Sequence, residues 1–422
     1  MQNGDETHPS VRRGIQPHFA DSLKKWILPL VLFAAVFLVS WLCQPYTLIC
    51  QEHEGLFLNT PDAWTRAFAQ PWPLSGILSD FLIQFYRDPV YGALICAALV
   101  VLAFLLCRGI LRRTGLLTEG LPALLAGILW VFLAKASAPK IAIAVVLLLF
   151  AAWLLSLLLP RPKKTFAWKG DLPLALVPVL VAAWFIARNP AIQRTERFSR
   201  VKIDALYGVW DDLLKTVPPS VAQEDPELTP FALLALSGKG QLNERIMSYP
   251  VYEENDLDMV YYDGPREYYT SLLFKSCLYQ YLGCYNEAIH NYYQWATQQE
   301  KGTSFIVLRR LVELYYLQGN YPLMEKYCGI LDHSLMNGAY VHHFRAQAAK
   351  GLAEGLAQQP TPAAERAAIP VISHDPLYNL LLLGREGFTS PMLEERVGPT
   401  LFLRQQDRGS ADAPAETAFG RF

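Results

Sequence analysis

Four consecutive residues, Gln51-Glu52-His53-Glu54, form the densest ionisable cluster beside the apolar part of this chain. A carboxylate at Glu52 or Glu54, standing at a membrane-facing cleft, has the chemistry of a general base or a metal ligand toward a substrate held in the bilayer. Consecutive side chains of a regular helix or strand diverge, so four in a row do not converge on one ion. The plainer reading makes them solvated loop residues. His342-His343 is likewise adjacent, and its rings point apart on a helix. The acidic stretch from Glu253 to Asp263 lacks a DxDxDG calcium pattern and reads as a loop. The seven cysteines form no CxxC pair and no zinc spacing, and most read as small buried hydrophobes. Cys43 and Cys50 flank a possible turn, with no pattern to support a disulfide there. No nucleophile-base pair, phosphate loop or metal signature is present, so neither a cofactor nor a metal is expected. A formal charge of -1 leaves no basic excess for nucleic acid.

The elements around the cluster are mainly helical. Five apolar runs, over 26–43, 89–107, 115–134, 141–160 and 172–187, predict an N-terminal bundle of about five transmembrane helices after a cytoplasmic segment 1–25. Glu119 is the one charged residue inside these runs, and 115–134 qualifies as a span with Glu119 at the interface. The fifth run is short and carries Pro173 and Pro178. Lys and Arg placement puts the N-terminus in the cytoplasm: Arg12, Arg13, Lys24 and Lys25 precede the first run, and Arg108, Arg112 and Arg113 follow the second. An odd number of crossings then puts the C-terminal half outside, although Arg188, Arg194, Arg197, Arg200 and Lys202 crowd the exit of the fifth run. No cleaved signal peptide is expected, because the first run starts late.

Within the first outer loop, 44–88, Leu74, Ile77, Leu78, Phe81, Leu82 and Phe85 recur at helical spacing, with Ser75, Ser79, Asp80 and Arg87 opposite. This predicts an amphipathic helix over 74–87 along the bilayer surface. The runs QEHEGLFLNT (51–60) and PWPLSGILSDFLIQFY (71–86), with KGQL (239–242) and LRRLVELYYLQGNY (308–321), resemble a family of uncharacterised Bacteroidota multi-pass membrane proteins, a domain of unknown function with a tetratricopeptide-like C-terminal region. Gln51, Glu52, Leu56 and Phe57 match its first motif, and Phe81, Leu82, Gln84 and Phe85 its second. The resemblance implies topology and no reaction.

The C-terminal half, 198–390, reads as an all-α helical-repeat domain. Ile203 to Leu214 form one face of a first helix, stopped by Pro218-Pro219, and Gly238-Lys239-Gly240 breaks a second pair. Two hairpins follow, whose turns carry Gly283 with Tyr285 and Gly319 with Tyr321, 36 residues apart. The glycine takes a backbone conformation costly to other residues, and the tyrosine packs into the facing helix. The helical pattern is expected to stop at Glu395, with a disordered tail over 396–422; family members continue past SPMLEE (390–395), so the chain is expected to be shortened or frame-shifted. Three functions fit. The first is an inner-membrane scaffold whose periplasmic repeats bind an envelope protein. The second is a lipid-linked glycosyltransferase-like enzyme using Glu52 or Glu54. A transporter fits least, because only Glu119 supplies a polar group near a span.

Overall fold

The computed structural model describes residues 17–135, 139–160, 166–167, 171–252, 257, 265–299, 301–353, 380 and 391–411. The first half runs α1 (Pro17–Cys43), α2 (Pro45–Glu54), α3 (Pro61–Phe68), α4 (Pro73–Ile83), a 3-10 turn over Gln84–Arg87, α5 (Pro89–Arg113), α6 (Gly120–Lys135), α7 (Lys140–Ser156) and α8 (Asp171–Arg188). The apolar helices α1 and α5 to α8 pack side by side, and their ends alternate. The Gln44 amide, just past α1, donates to the Ala134 carbonyl near the end of α6 at 2.8 Å. The Lys135 ammonium lies over the Phe185 ring near the end of α8, 5.1 Å away. Trp153, late in α7, meets Gly109, late in α5. The exits of α1, α6 and α8 therefore share one end of the bundle, and those of α5 and α7 the other. Small residues allow the approach: a Cβ on Gly127 would stand 3.2 Å from the Pro178 carbonyl, and Ala123, Ala126 and Ala182 are buried.

The expected five spans are corrected. Two helices, α1 over Trp26–Cys43 and α5, are long and apolar enough to cross a membrane. A third is reached if α8 and the next helix, bent by 52°, count as one. α6 has 16 residues and α7 has 17, about 24–26 Å at ~1.5 Å per residue against a hydrocarbon core of about 30 Å. Turns consume the flanks of their apolar runs. Gly115 turns with φ 87, and Glu119 precedes α6, paired with Arg108 at 2.6 Å and Arg112 at 3.0 Å. Glu119 thus serves the α5–α6 turn instead of sitting inside a span. Beside this turn, Leu116–Leu117 and Phe166–Ala167 form a two-residue parallel bridge, the one extended pairing among the described residues.

The segment 44–88 between α1 and α5 contains three helices. Pro45 starts α2 immediately after α1, and Gln51–Glu54 forms its end. The cluster is therefore helical, not a solvated loop, and Glu52 and His53 are buried. The expected amphipathic helix over 74–87 is α4 plus the 3-10 turn, with Ile77, Phe81, Leu82 and Phe85 half-buried and the two serines of its polar face turned inward. Ser75 and Ser79 are buried, whereas Leu74 is 60% and Leu78 40% exposed. The neighbour explains this: α4 lies against α7, with Gly76 beside the Lys140 side chain and Trp72–Ser75 beside Ala144, Leu147 and Leu148. Small serines permit that approach.

The second half runs α9 (Pro190–Tyr207), α10 (Trp210–Thr216), α11 (Pro219–Glu224), α12 (Thr229–Gly238), α13 (Leu242–Arg245), α14 (Pro265–Leu282), α15 (Tyr285–Thr297), α16 (Phe305–Leu317), α17 (Tyr321–Leu331), α18 (Gly338–Ala353) and α19 (Pro391–Ala411). One apolar core, from Val201 to Leu403, joins them. The hairpins α14–α15 and α16–α17 close on the same turn. Gly283 (φ 84) and Gly319 (φ 72) are left-handed. The following N–H reaches back five residues, Cys284 to Tyr279 at 2.8 Å and Asn320 to Tyr315 at 2.9 Å. This is the Schellman closure of a helix end. Tyr285 and Tyr321 pack, half-buried, against the core. Tyr293 joins the hairpins by bonding the hydroxyls of Tyr315, at 3.0 Å, and Tyr327.

Gly208 (φ 67) makes the same closure, with Val209 N–H reaching Asp204 at 2.8 Å. The face from Ile203 to Leu214 is consequently split between α9 and α10 instead of forming one helix up to Pro218. The expected tail over 396–422 is also corrected. The helical pattern continues beyond Glu395 through α19 to Ala411, with Arg396 and Leu403 buried and Glu395 accepting from the Asn243 amide at 3.1 Å. Residues 412–422 lie outside the described residues, as does the acidic stretch 253–263 apart from Leu257. All seven cysteines are free, Cys43 and Cys50 included.

Candidate functional site

α16 carries two adjacent arginines inside an apolar helix, FIVLRRLVELYYL, and both are buried. Buried guanidinium groups require partners, because an unpaired charge out of water costs several kcal/mol or more. Arg309 finds its partner 257 residues back in the chain. Its two terminal nitrogens grip both oxygens of Glu52, Nη1 to Oε2 at 3.0 Å, while Nε donates to Asn337 Oδ1 at 2.8 Å. Asn337 is held in turn by donating to Ser334 Oγ at 2.8 Å, and Tyr340 donates to the Arg309 carbonyl at 2.6 Å. The Glu52 side chain is 0% exposed. Planar, bidentate and fully enclosed, the pair fixes both the position and the orientation of the end of α2.

Arg310 works on the other side. It donates to the Leu206 carbonyl at 2.6 Å, capping the end of α9, and stacks 4.7 Å over the Tyr207 ring. The Tyr207 hydroxyl lies 3.4 Å from His53 Nε2, and His53 Nδ1 has no protein partner. Burial, then the charges of Arg309, Arg310, Arg87 and Lys202, hold the His53 pKa well below its ordinary value. His53 is therefore neutral at neutral pH.

The rest of the loop follows the same course. Glu196 of α9 accepts from the Tyr46 and Thr47 N–H groups at 2.8 Å each, satisfying the free amides at the start of α2. Glu54 pairs with Lys202 at 3.0 Å. The Gly55 carbonyl accepts the Phe305 N–H at 2.9 Å and so caps α16, whose Ser304 makes no side-chain cap. Gly55 is required there, because a Cβ would stand 2.8 Å from Ile83 Cγ2. Further along, Asn59 N–H reaches the His333 carbonyl at 2.8 Å, and Gln84 Oε1 accepts the Leu335 N–H at 3.0 Å.

Glu52 and Glu54 thus come together with the helical half, and both are already engaged by cations. Neither stands as an uncommitted base in a cleft. Gly283, Tyr285, Gly319 and Tyr321 lie in the hairpin turns, apart from this cluster. The residues that sequence reasoning missed are Arg309, Arg310, Asn337, Lys202 and Tyr207. A signal for the first two was present: adjacent arginines in the middle of an apolar helix must be answered by a buried carboxylate or carbonyl. Among the described residues no group of three or more His, Cys, Asp or Glu side chains is arranged to hold a metal.

A family of unknown function (DUF6057) matches residues 22–187 and 135–354. The chain belongs to that family. Both halves of the junction lie within the matched segments of this DUF6057 protein, Glu52 in the first and Arg309 in the second. No curated protein and no solved structure matches the chain.

Proposed function

We propose that this chain is an integral protein of a bacterial inner membrane that holds a tetratricopeptide-like helical platform against its own first outer loop and offers that platform to an envelope protein. The observation that carries the reading is the Glu52–Arg309 pair with its flanking contacts at Gly55, Asn59 and Gln84. α1 and α5 alone return the loop between them to one membrane face. The contacts then keep the helical platform on that face, so its side no longer depends on how many of α6 to α8 cross.

The N-terminus is cytoplasmic on the basic residues flanking α1 and ending α5, which makes the platform periplasmic. The basic residues after α8 do not decide the side, because a long domain translocates largely regardless of such charge. The apolar exterior of the bundle, including Leu30, Leu42, Leu180 and Trp184, is suited to lipid. The spacing and common closure of the two hairpins support a repeat surface that binds protein. A sidedness reporter fused after Phe422, beyond α19, tests the compartment. A periplasmic signal is expected, and a cytoplasmic one overturns the reading.

A further inference from the structure

Trp64 and Ile77 stand between two cavities on the α3–α4 side of the loop. The first holds about 210 Å³ and contains both charge and apolar wall. At its back, Lys301 pairs with Asp80 at 2.5 Å and donates to the Leu56 carbonyl at 2.7 Å. On its α3 wall stands Arg66, whose one hydrogen bond among the described residues is a long contact to its own helix, Nε to the Asp62 carbonyl at 3.4 Å. Among the described lining residues the Lys301–Asp80 pair leaves Arg66 as the excess charge, a positive one. The second cavity, about 600 Å³, is bounded by Phe57, Leu78, Phe81 and Leu335 and is mostly apolar.

We propose that the two chambers bind one membrane amphiphile, its anionic headgroup at Arg66 and its chain in the apolar chamber. Size, charge and place agree. About 210 Å³ is the space of roughly seven waters at ~30 Å³ each, enough for a phosphate-bearing headgroup. The chambers share Phe57, Trp64 and Ile77, so one ligand can pass between them. The α3–α4 corner reaches down the apolar flank of the bundle: Trp72 and Pro73 lie beside Leu147 and Leu148, about two turns below Lys140. Phe68 and Trp72 are exposed at that corner, a placement suited to the bilayer interface.

The inference rests on the membrane placement proposed above, and the test separates the two. The full chain, with photoreactive p-benzoylphenylalanine at Ile77 or, as a bilayer control, at the exposed Leu102, is placed in nanodiscs. The probes are alkyne-bearing phosphatidylglycerol, phosphatidylcholine or diacylglycerol. The expected result is crosslinking at Ile77 that favours phosphatidylglycerol by about tenfold, the loss of one charge-assisted contact, with that preference removed by Arg66→Gln. Ala67→Trp, which fills the chamber, should abolish it while leaving Leu102 labelling unchanged. Equal labelling by all three lipids, or labelling indifferent to Arg66→Gln, overturns the headgroup assignment. Labelling at Leu102 without labelling at Ile77 overturns the site and leaves the membrane placement standing. Labelling at neither position overturns both.

Discussion

Replacing Arg309 by Met is the most informative perturbation of the junction. The methionine keeps much of the side-chain volume but leaves the fully buried Glu52 carboxylate without its bidentate partner and Asn337 without its donor. Removing one member of a buried ion pair costs about 3–5 kcal/mol, mostly as the penalty of the charge left behind. At about 2–4 °C per kcal/mol for a unit of this size, the thermal midpoint should fall by about 10 °C. The companion Glu52→Leu should cost a similar amount through the stranded guanidinium. The double variant should recover to within about 1 kcal/mol of the parent, because replacing both charges removes the desolvation penalty. The assay is far-UV circular dichroism of the full chain in detergent, with limited proteolysis between Gly55 and Pro61 to report loosening of the loop. If the two single losses simply add in the double variant, the residues are not coupled and the reasoning fails.

Three further outcomes are expected. His53 has a folded pKa below its unfolded one, so the unfolded chain binds the extra proton. Stability should be flat above about pH 7 and fall as pH drops through about 6.5. Asp204, pushed up to about 6 by burial and only partly offset by Arg200, has the opposite slope and loses stability as pH rises toward 6. The His53 effect is therefore read as the difference between parent and His53→Gln melts, and parallel curves for the two proteins would contradict it. Gly319→Ala should cost about 1 kcal/mol from backbone strain alone, because no heavy atom lies within 4 Å of the added Cβ. Gly208→Ala should cost more, since its Cβ meets the Tyr281 hydroxyl at 2.9 Å; equal melts for the two variants would refute that ranking. Gly55→Ala should lower the midpoint as an overpacking change of about 1–3 kcal/mol, and an unchanged midpoint would show that the loop yields freely.

The sequence displayed the local features of this fold far better than its long-range ones. Some ends of the apolar helices coincide with proline or charge, as Pro89 does for α5 and Lys140 for α7, whereas α1 already starts at Pro17 and α5 runs on to Arg113. The number of spans was not readable, since counting apolar residues ignores how many the turns at Gly115 and Glu119 absorb. Gln51–Glu54 stood out as an ionisable cluster, yet its chemistry depended on Arg309, whose contact no local pattern encodes. The inward turn of Ser75 and Ser79 was hidden for a related reason: burial there follows the approach to α7, not the apolar count. One consequence concerns mutagenesis. Glu52→Gln does not separate a catalytic carboxylate from a structural one in this chain, because it also weakens the junction, so activity must be compared with the double variant instead.

The central claim is that the first outer loop and the helical platform meet on one membrane face. Cysteines at Asn59 and His333, whose backbones are hydrogen-bonded at 2.8 Å, should form a disulfide in intact membranes once the seven native cysteines are replaced. The account predicts near-complete bridging, and with the bridge reduced, labelling of both sites by an impermeant maleimide from the same side. Failure to bridge, with the two sites labelled from opposite sides, would contradict it.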